Sequence, residues 1–349
     1  MVRIRPYLQF ARRITATNFG RPSFPYKLTF SLTNRCNYRC RTCGIWRKKA
    51  LGELSLEEIQ TFFRKNRSFS WVHLTGGEIF LRPDIVEIAA AIVSQSPDLL
   101  MLNFPTNGYL TARIVAAVRS IAALRPGRLF ITVSTDGDEA INDDIRGVKG
   151  GWRRQIETFR QLRGIPGVNA ALGMTLSPFN LREFPRAFAA ARAELPGLGY
   201  RDFHVNIVHA SAYYGDAEVD LQTLDRGALR EEVERYRQLR GFHPDPTSLL
   251  EWAYLRRVGR YLETGRAPLP CLALQASCYL DPTGNVHPCS MWDQPLGNIR
   301  DHDYDLGKIW NAPASRDVVR EIREKRCPHC WTPCEAYQSL LGNLPRIFL

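Results

Sequence analysis

The sequence predicts an α/β chain: six strand–helix units forming a parallel sheet, then a small cysteine-rich α+β domain. Three observations carry this reading. Between residues 27 and 210, short apolar runs alternate with longer amphipathic stretches. The runs are apolar along nearly their whole length, as strands buried on both faces are. The nine cysteines fall into two groups, three before residue 44 and six after residue 270.

Strands are expected at Lys27–Leu32, Trp71–Leu74, Leu99–Phe104, Leu129–Ser134, Val168–Leu176 and Phe203–Val208. Helices are expected between them, at Ser55–Lys65, Asp84–Ser94, Thr111–Leu124, Gly151–Arg163 and Glu183–Leu195. Ser55-Leu-Glu-Glu58 reads as a capping box. Alternation of this kind requires right-handed crossovers. Residues 1–26 form a basic extension. Leu8, Ala11 and Ile14, with Tyr7 and Phe10, fit a short helix with an Arg-rich opposite face. That helix reads as a cap on the main domain or, alternatively, as a membrane-surface or partner-docking element. Residues 211–270 form a bridge of two helices, Leu221–Leu239 and Leu249–Glu263, punctuated by prolines. Residues 271–349 carry the second cysteine group.

The bulk numbers bound the class. A chain of 349 residues permits one large domain or two ordinary ones. Its 44% hydrophobic and 23% charged residues describe a globular protein. No apolar run approaches the ~20 residues that span a bilayer, and the first residues lack a secretory h-region. Grouped cysteines without a signal point to metal ligation in a reducing, cytoplasmic compartment. The net charge of +12 favours an anionic partner. Because the arginines are scattered along helices, nucleic acid is a poor candidate.

The chemistry centres on Cys36-Asn-Tyr-Arg-Cys40-Arg-Thr-Cys43, directly after the first strand. A [4Fe–4S] cluster normally takes four cysteines. Three would leave one iron open to another ligand. A three-cysteine zinc site is the alternative. Two later segments bear on the choice: Thr75-Gly-Gly-Glu78, and Ser134-Thr-Asp-Gly137 followed by Ile145-Arg-Gly147. Taken in this order, the three segments resemble those of the radical S-adenosylmethionine (SAM) superfamily, over about residues 25 to 210 and more weakly to the C-terminus.

That resemblance implies a partial (β/α)6 TIM-like barrel with the site at the C-terminal ends of its strands. It implies a catalytic [4Fe–4S] cluster on Cys36, Cys40 and Cys43, with SAM chelating the open iron. SAM would be cleaved reductively to a 5′-deoxyadenosyl radical that abstracts a hydrogen atom. Gly76 and Gly77 would let the backbone approach the methionine moiety, and Glu78 would meet the SAM amino group. Ser134 and Asp136 would meet the ribose, and Arg146 the SAM carboxylate. An electron donor such as flavodoxin or ferredoxin is implied. The chain departs from the family's pattern twice. Thr42 stands where an aromatic residue usually precedes the third cysteine, leaving Trp46 or Tyr38 to face adenine. Ile79 stands where the family has proline after the GGE motif.

The second group runs Cys271-x6-Cys278-x10-Cys289, then Cys327-x2-Cys330-x3-Cys334, around a hairpin turning at Asp281–Asn285. It resembles the SPASM and twitch extensions that hold auxiliary [4Fe–4S] clusters. Six cysteines are too few for two cubanes and too many for one. One auxiliary cluster on Cys271, Cys289, Cys327 and Cys330 is the first expectation. Cys278 and Cys334 could replace two of these or hold a second, incomplete cluster, and a zinc ribbon is the alternative. Trp292, Trp310 and Trp331 are expected to pack the small domain.

His204, Asn206 and His209, with Tyr213 and Tyr214 beyond them, are the candidates for contacting substrate, and a core role competes for each. The expected reaction is an oxidation or radical coupling of a small molecule: an anionic metabolite, a sugar or a lipid. A maturase acting on a ribosomal peptide or protein side chain is the first alternative. A non-catalytic iron–sulfur scaffold is the second.

Overall fold

The computed structural model describes residues 4–20, 22–211, 214, 219 and 224–347. The order of elements is α1 (Ile4–Phe19), β1 (Lys27–Ser31), α2 (Leu56–Lys65), β2 (Trp71–Thr75), α3 (Ile85–Gln95), β3 (Met101–Thr106), α4 (Thr111–Ala123) and β4 (Arg128–Ser134). Then come α5 (Glu139–Arg146), α6 (Gly151–Arg163), β5 (Val168–Leu176), α7 (Phe184–Glu194), β6 (Phe203–Ile207), α8 (Arg226–Arg240) and α9 (Pro246–Thr264). The chain closes with β7 (Ser277–Leu280), β8 (Asn285–His287), β9 (Gly297–Asn298), α10 (Leu306–Trp310), α11 (Pro313–Arg323) and α12 (Pro333–Leu341).

All six expected strands and the helices between them form, and the Ser55/Glu58 capping box is present at the start of α2. Strands β1 to β6 are parallel and run in sequence order across the sheet. Strand β9 and helices α10 to α12 of the small domain were not foreseen, and neither was one helix of the barrel. Helix α5 was hidden because its eight residues are mostly polar, Glu-Ala-Ile-Asn-Asp-Asp-Ile-Arg. Asp138 caps its N-terminus and Gly147, left-handed at φ 66°, ends it.

The small domain does not stand apart from the barrel sheet. Strand β7 pairs in parallel with β1 in the register Lys27↔Ser277 to Phe30↔Leu280, and β8 and β9 add antiparallel beyond it. The result is one nine-stranded sheet in the order β6-β5-β4-β3-β2-β1-β7-β8-β9. The expected hairpin turns at Asp281–Asn285, where Asp281 accepts from the backbone of Thr283 and Asn285.

Register fixes the faces of the sheet. Leu28, Phe30, Val72, Leu74, Leu129, Ile131 and Val133 are buried towards the helices. The opposite face, the lumen, carries the row Thr29–His73–Asn103–Phe130–Asn169. It also carries Ser134–Gly173–His204 and, one step on, Thr175–Asn206. His204 and Asn206 therefore do point into the lumen.

Helix α12 lies across the lumen between β2 and β6. Tyr337 stacks on Trp71 of β2 (centroids 6.5 Å apart) and packs against His204 of β6. Buried Lys27 donates to Gln338 Oε1 (2.8 Å) and to the Cys334 carbonyl, and lies over the Trp71 ring. Trp310 and Trp331 are fully buried, and Trp331 Nε1 donates to the Tyr254 carbonyl.

Helix α1 sits under the N-terminal ends of the strands. Arg5 and Arg13 both pair with Asp98, and Phe10 packs edge-on against Tyr26. The helix lies at this end of the barrel, but its buried face is not the one that the apolar pattern suggests. Pro6 and Thr17 are buried, while Leu8 and Ala11 face solvent. Specific ion pairs outweigh the apolar pattern here, because Arg13 reaches Asp98 and the Ser68 carbonyl. Tyr213 and the expected start of the bridge at Leu221 lie outside the described residues.

Candidate active site

The cysteine motif leaves β1 and lies across the tips of two neighbouring units. Gly77 N–H donates to the Thr33 carbonyl (2.7 Å) and Glu78 N–H to the Arg35 carbonyl (2.8 Å). A Cβ at Gly77 would stand 2.0 Å from Arg35 O, and one at Gly76 (φ 136°) would stand 2.5 Å from Thr33 O. The immediate demand for glycine is thus the crossing of these two loops, beyond any approach to a ligand.

On its other side the motif is held by α5. Arg39 and Arg41 N–H groups donate to the Arg146 and Ile145 carbonyls, at 3.3 and 2.8 Å. These are carbonyls of the last helical turn, which lack partners within the helix. Gly147 is required here too, since a Cβ would stand 2.9 Å from Arg39 O. The loop after β6 reaches the motif as well: Gly44 N–H donates to the Tyr214 carbonyl (3.0 Å).

Cys36, Cys40 and Cys43 are partly exposed at this rim, and their thiols act on one another electrostatically. Burial pushes Cys36 up to about 11 and Cys40 up to about 12, and raises Cys43. Free thiols in this state are protonated and inert. A bound soft cation would hold them as thiolates. The buried Arg146 acts on all three, favouring the anionic form.

Arg146 Nη2 pairs with Asp136 Oδ2 at 2.7 Å. Asp136 Oδ1 accepts from Thr175 N–H, and its own N–H is held by Asn142. The two residues expected to meet the ribose and the SAM carboxylate therefore bind each other. Arg146 Nε is buried without a partner, so one donor of this guanidinium remains for an anion. Ser134 lies on the lumen face in the row of His204.

Glu78 is 1% exposed. Its carboxylate accepts from Asn107 N–H (2.6 Å), Thr106 Oγ1 (3.0 Å) and Phe80 N–H (3.2 Å). Burial pushes it up to about 7 against these bonds. Among the described residues no cation lies within ion-pair distance, so an ammonium ligand would restore its charge. Asn107 joins the loops further, donating to Asn37 Oδ1 inside the cysteine motif (2.7 Å). The tie from Asn107 to Glu78 runs through its backbone, which no side-chain pattern shows.

Tyr38 is buried against Tyr109, and its hydroxyl accepts from Gln155, so it packs the motif from behind. Trp46 lies between Arg39 and Arg47, its indole N–H buried without a partner.

Further down the lumen, His204 Nδ1 meets Glu251 Oε1 of α9 at 3.0 Å, and Tyr337 OH donates to the same carboxylate. His73 Nδ1 accepts from Asn103 Nδ2, and its Nε2 lies 3.9 Å from Cys334 Sγ. Asn206 has a clear lumen position beside Thr175. His209 does not join them. It donates from Nδ1 to the Ile207 carbonyl and accepts Trp331 N–H at Nε2, and it stacks on Tyr261. Burial lowers it to about 4. Both nitrogens are spent on backbone, so His209 is a pin between β6 and the Cys327–Cys334 loop.

In the second group, Cys271, Cys289, Cys327 and Cys330 are near enough to act on one another. Cys278 pairs with Leu28 in the ladder and sits in the hydrophobic core, with Glu335 rather than a thiol as its electrostatic neighbour. Cys334 neighbours Lys27 and His73. Among the described residues no three Cys, His, Asp or Glu side chains converge as they do around a single metal ion. A four-iron cluster, being larger, keeps its thiolates further apart. The donor chemistry of both groups fits such clusters.

The comparisons agree with this geometry. Residues 30–190 match the model of the Radical SAM superfamily, and residues 271–335 match that of an iron–sulfur cluster-binding domain, SPASM. The chain is a radical SAM enzyme with a C-terminal SPASM domain. The two matches imply [4Fe–4S] clusters and SAM as the enzyme's cofactors.

The enzyme is 25% identical to the antilisterial bacteriocin subtilosin biosynthesis protein AlbA of Bacillus subtilis, over 91% of this chain and 69% of AlbA. It is 25% identical to the AdoMet-dependent heme synthase of Methanosarcina barkeri, over 86% of this chain and 85% of that protein. It is 28% identical to the PqqA peptide cyclase of Gluconobacter oxydans, over 92% and 89%. In fold it is similar to Streptococcus suis SuiB bound to S-adenosylmethionine, with TM-score 0.62 and 15% identity over 88% of this chain and 70% of SuiB. Among the described residues no helix is long and apolar enough to cross a membrane.

Proposed function

We propose that this enzyme modifies a ribosomally made peptide or a protein side chain by hydrogen abstraction. The observation that carries this reading is the extent of the likeness to AlbA and the PqqA peptide cyclase. It runs through the barrel and the SPASM domain together, over nine-tenths of the chain. This departs from the small-molecule substrate expected from the sequence. Net charge, one of the grounds of that expectation, is a weak guide to substrate.

Once bound, the cluster and SAM supply a 5′-deoxyadenosyl radical. Cys36, Cys40 and Cys43 would hold the cluster at the rim, and Arg146 would stabilise the negative charge of the three thiolates. Arg146, whose Nε is unpartnered, would take the SAM carboxylate, and Glu78 its ammonium group. Ser134 and Asp136 would lie toward the ribose, with Gly76 and Gly77 keeping the β2 loop close to the motif. Trp46, rather than Tyr38, which is buried against Tyr109, would face adenine. Cys271, Cys289, Cys327 and Cys330 would hold the auxiliary cluster, leaving Cys278 and Cys334 outside it. Asn206 and His204 would contact substrate from the lumen wall, His204 oriented by Glu251 and Tyr337.

A second reading has its own support, since the heme synthase likeness also covers most of the chain. One experiment separates them. Anaerobic enzyme, SAM and dithionite are incubated with the product of a short reading frame beside the gene, or with an iron porphyrin. Faster 5′-deoxyadenosine formation and a changed peptide mass support the first reading. Stimulation by the porphyrin alone overturns it.

A further inference from the structure

We infer that the face of the barrel opposite the cysteine rim is a docking surface for an anionic phospholipid bilayer, with α1 as the inserted element. The helix presents the wrong side to the protein for an ordinary cap. Ile4, Leu8 and Phe19 are 67%, 65% and 89% exposed. With Ala11 they form one stripe at positions i, i+4, i+7 and i+15, facing solvent. The helix is held on by its other side, through Phe10 on Tyr26, Arg13 on Asp98, and Asn18 Nδ2 on the Leu341 carbonyl. Leu344, 43% exposed, extends the apolar surface where its N–H meets Asn18 Oδ1.

Charge selects the occupant. Arg12 is exposed on the helix. Strand N-termini and the ends of the preceding helices share this side of a βα barrel, so the turn into β2 adds exposed Arg64, Lys65 and Arg67. Arg5 and Arg64 line one groove of about 1090 Å³ with Ile4, Pro6 and Leu124. The acids on this side are set against cations, with Glu194 facing Arg160 and Asp202 facing Arg163. Asp98 is neutralised by Arg5 and Arg13, Glu87 lines the groove, and Asp303 lies near Lys65. An apolar stripe flanked by arginines matches an interface with acyl chains below and phosphates at the level of the cations. A second protein would need a complementary acidic and apolar face. The cysteine rim would point away from such a membrane, open to substrate and electron donor.

The test is co-sedimentation of the full chain with vesicles of phosphatidylglycerol and, separately, phosphatidylcholine. Binding to the anionic vesicles that weakens as salt rises is expected. The double variant Leu8→Ser with Phe19→Ser should lower partitioning at least about tenfold, and Arg12→Glu should lower it about fivefold or more. Both positions of the double variant are exposed, so unchanged iron content and melting temperature will show that the fold is retained. Equal binding to both lipids, or a double variant that binds like the parent, would overturn the inference. So would a dimer by sedimentation velocity that the double variant dissolves, which would assign the stripe to a second copy of the chain.

Discussion

Arg146 Nη2 lies 2.7 Å from Asp136 Oδ2, with both residues buried where α5 ends against the cysteine motif. Burial opposes the charge of Arg146, and Asp136 with Cys40 outweighs it. The pair thus positions a cation beside three thiols, and its two halves are not interchangeable. Arg146→Gln should cost about 3–5 kcal/mol of stability, because Asp136 is left buried and unpaired. It should also abolish SAM binding by equilibrium dialysis. The double variant Arg146→Gln with Asp136→Asn should recover stability without recovering SAM binding. Recovery of both would assign the pair a purely structural role.

Gly77 offers a sharper structural test. In Gly77→Ala the new methyl group meets Arg35 O, which is backbone and cannot swing away. The β2 loop and the cysteine motif must separate. A loss of about 3 kcal/mol or more is expected, together with loss of about four irons per chain. Retained iron at wild-type stability would contradict the crossing described here.

The six C-terminal cysteines should divide four against two. Cys289→Ala should remove about four irons. Cys278→Ala should leave the iron content unchanged and cost about 1 kcal/mol for lost packing beside Leu28. Iron and sulfide analysis of both anaerobic variants decides the point.

Glu58 couples the first helix of the barrel to the SPASM domain. It receives Arg300 in a bidentate pair, at 2.6 and 3.0 Å, and a hydrogen bond from Tyr304. The Arg300 contact holds it down from 4.5 to about 2. A carboxylate depressed in the folded state contributes stability above its unfolded value, and that contribution disappears as pH falls through the folded value. Glu58→Gln should therefore destabilise by about 1–2 kcal/mol at neutral pH, allowing for its partial exposure. The difference from the parent should shrink between pH 4.5 and 2. Chemical denaturation at several pH values measures it.

The parts of this protein that were legible in the sequence are those written in local pattern. Continuous apolar runs gave β1 to β6, and cysteine spacing gave both sulfur groups. What stayed hidden depends on contacts between distant segments. Nothing near Ser277 announces that β7 will pair with Lys27–Phe30, since edge pairing is chosen by the whole sheet. His209 resembled a lumen residue because it follows β6. Its real partners, the Ile207 carbonyl and Trp331 N–H, are backbone groups. The exposed side of α1 was misread because Arg13 carries its packing through Asp98, against the apolar periodicity.

The ladder between β1 and β7 has a kinetic consequence. The Cys36–Cys43 loop continues from β1, while Cys271 precedes β7 and Cys289 follows β8, the next strand of the same sheet. The two sulfur groups are therefore joined through a continuous sheet, with four register pairs between β1 and β7, and not across a hinge. Inter-centre transfer in this enzyme should be indifferent to solvent viscosity.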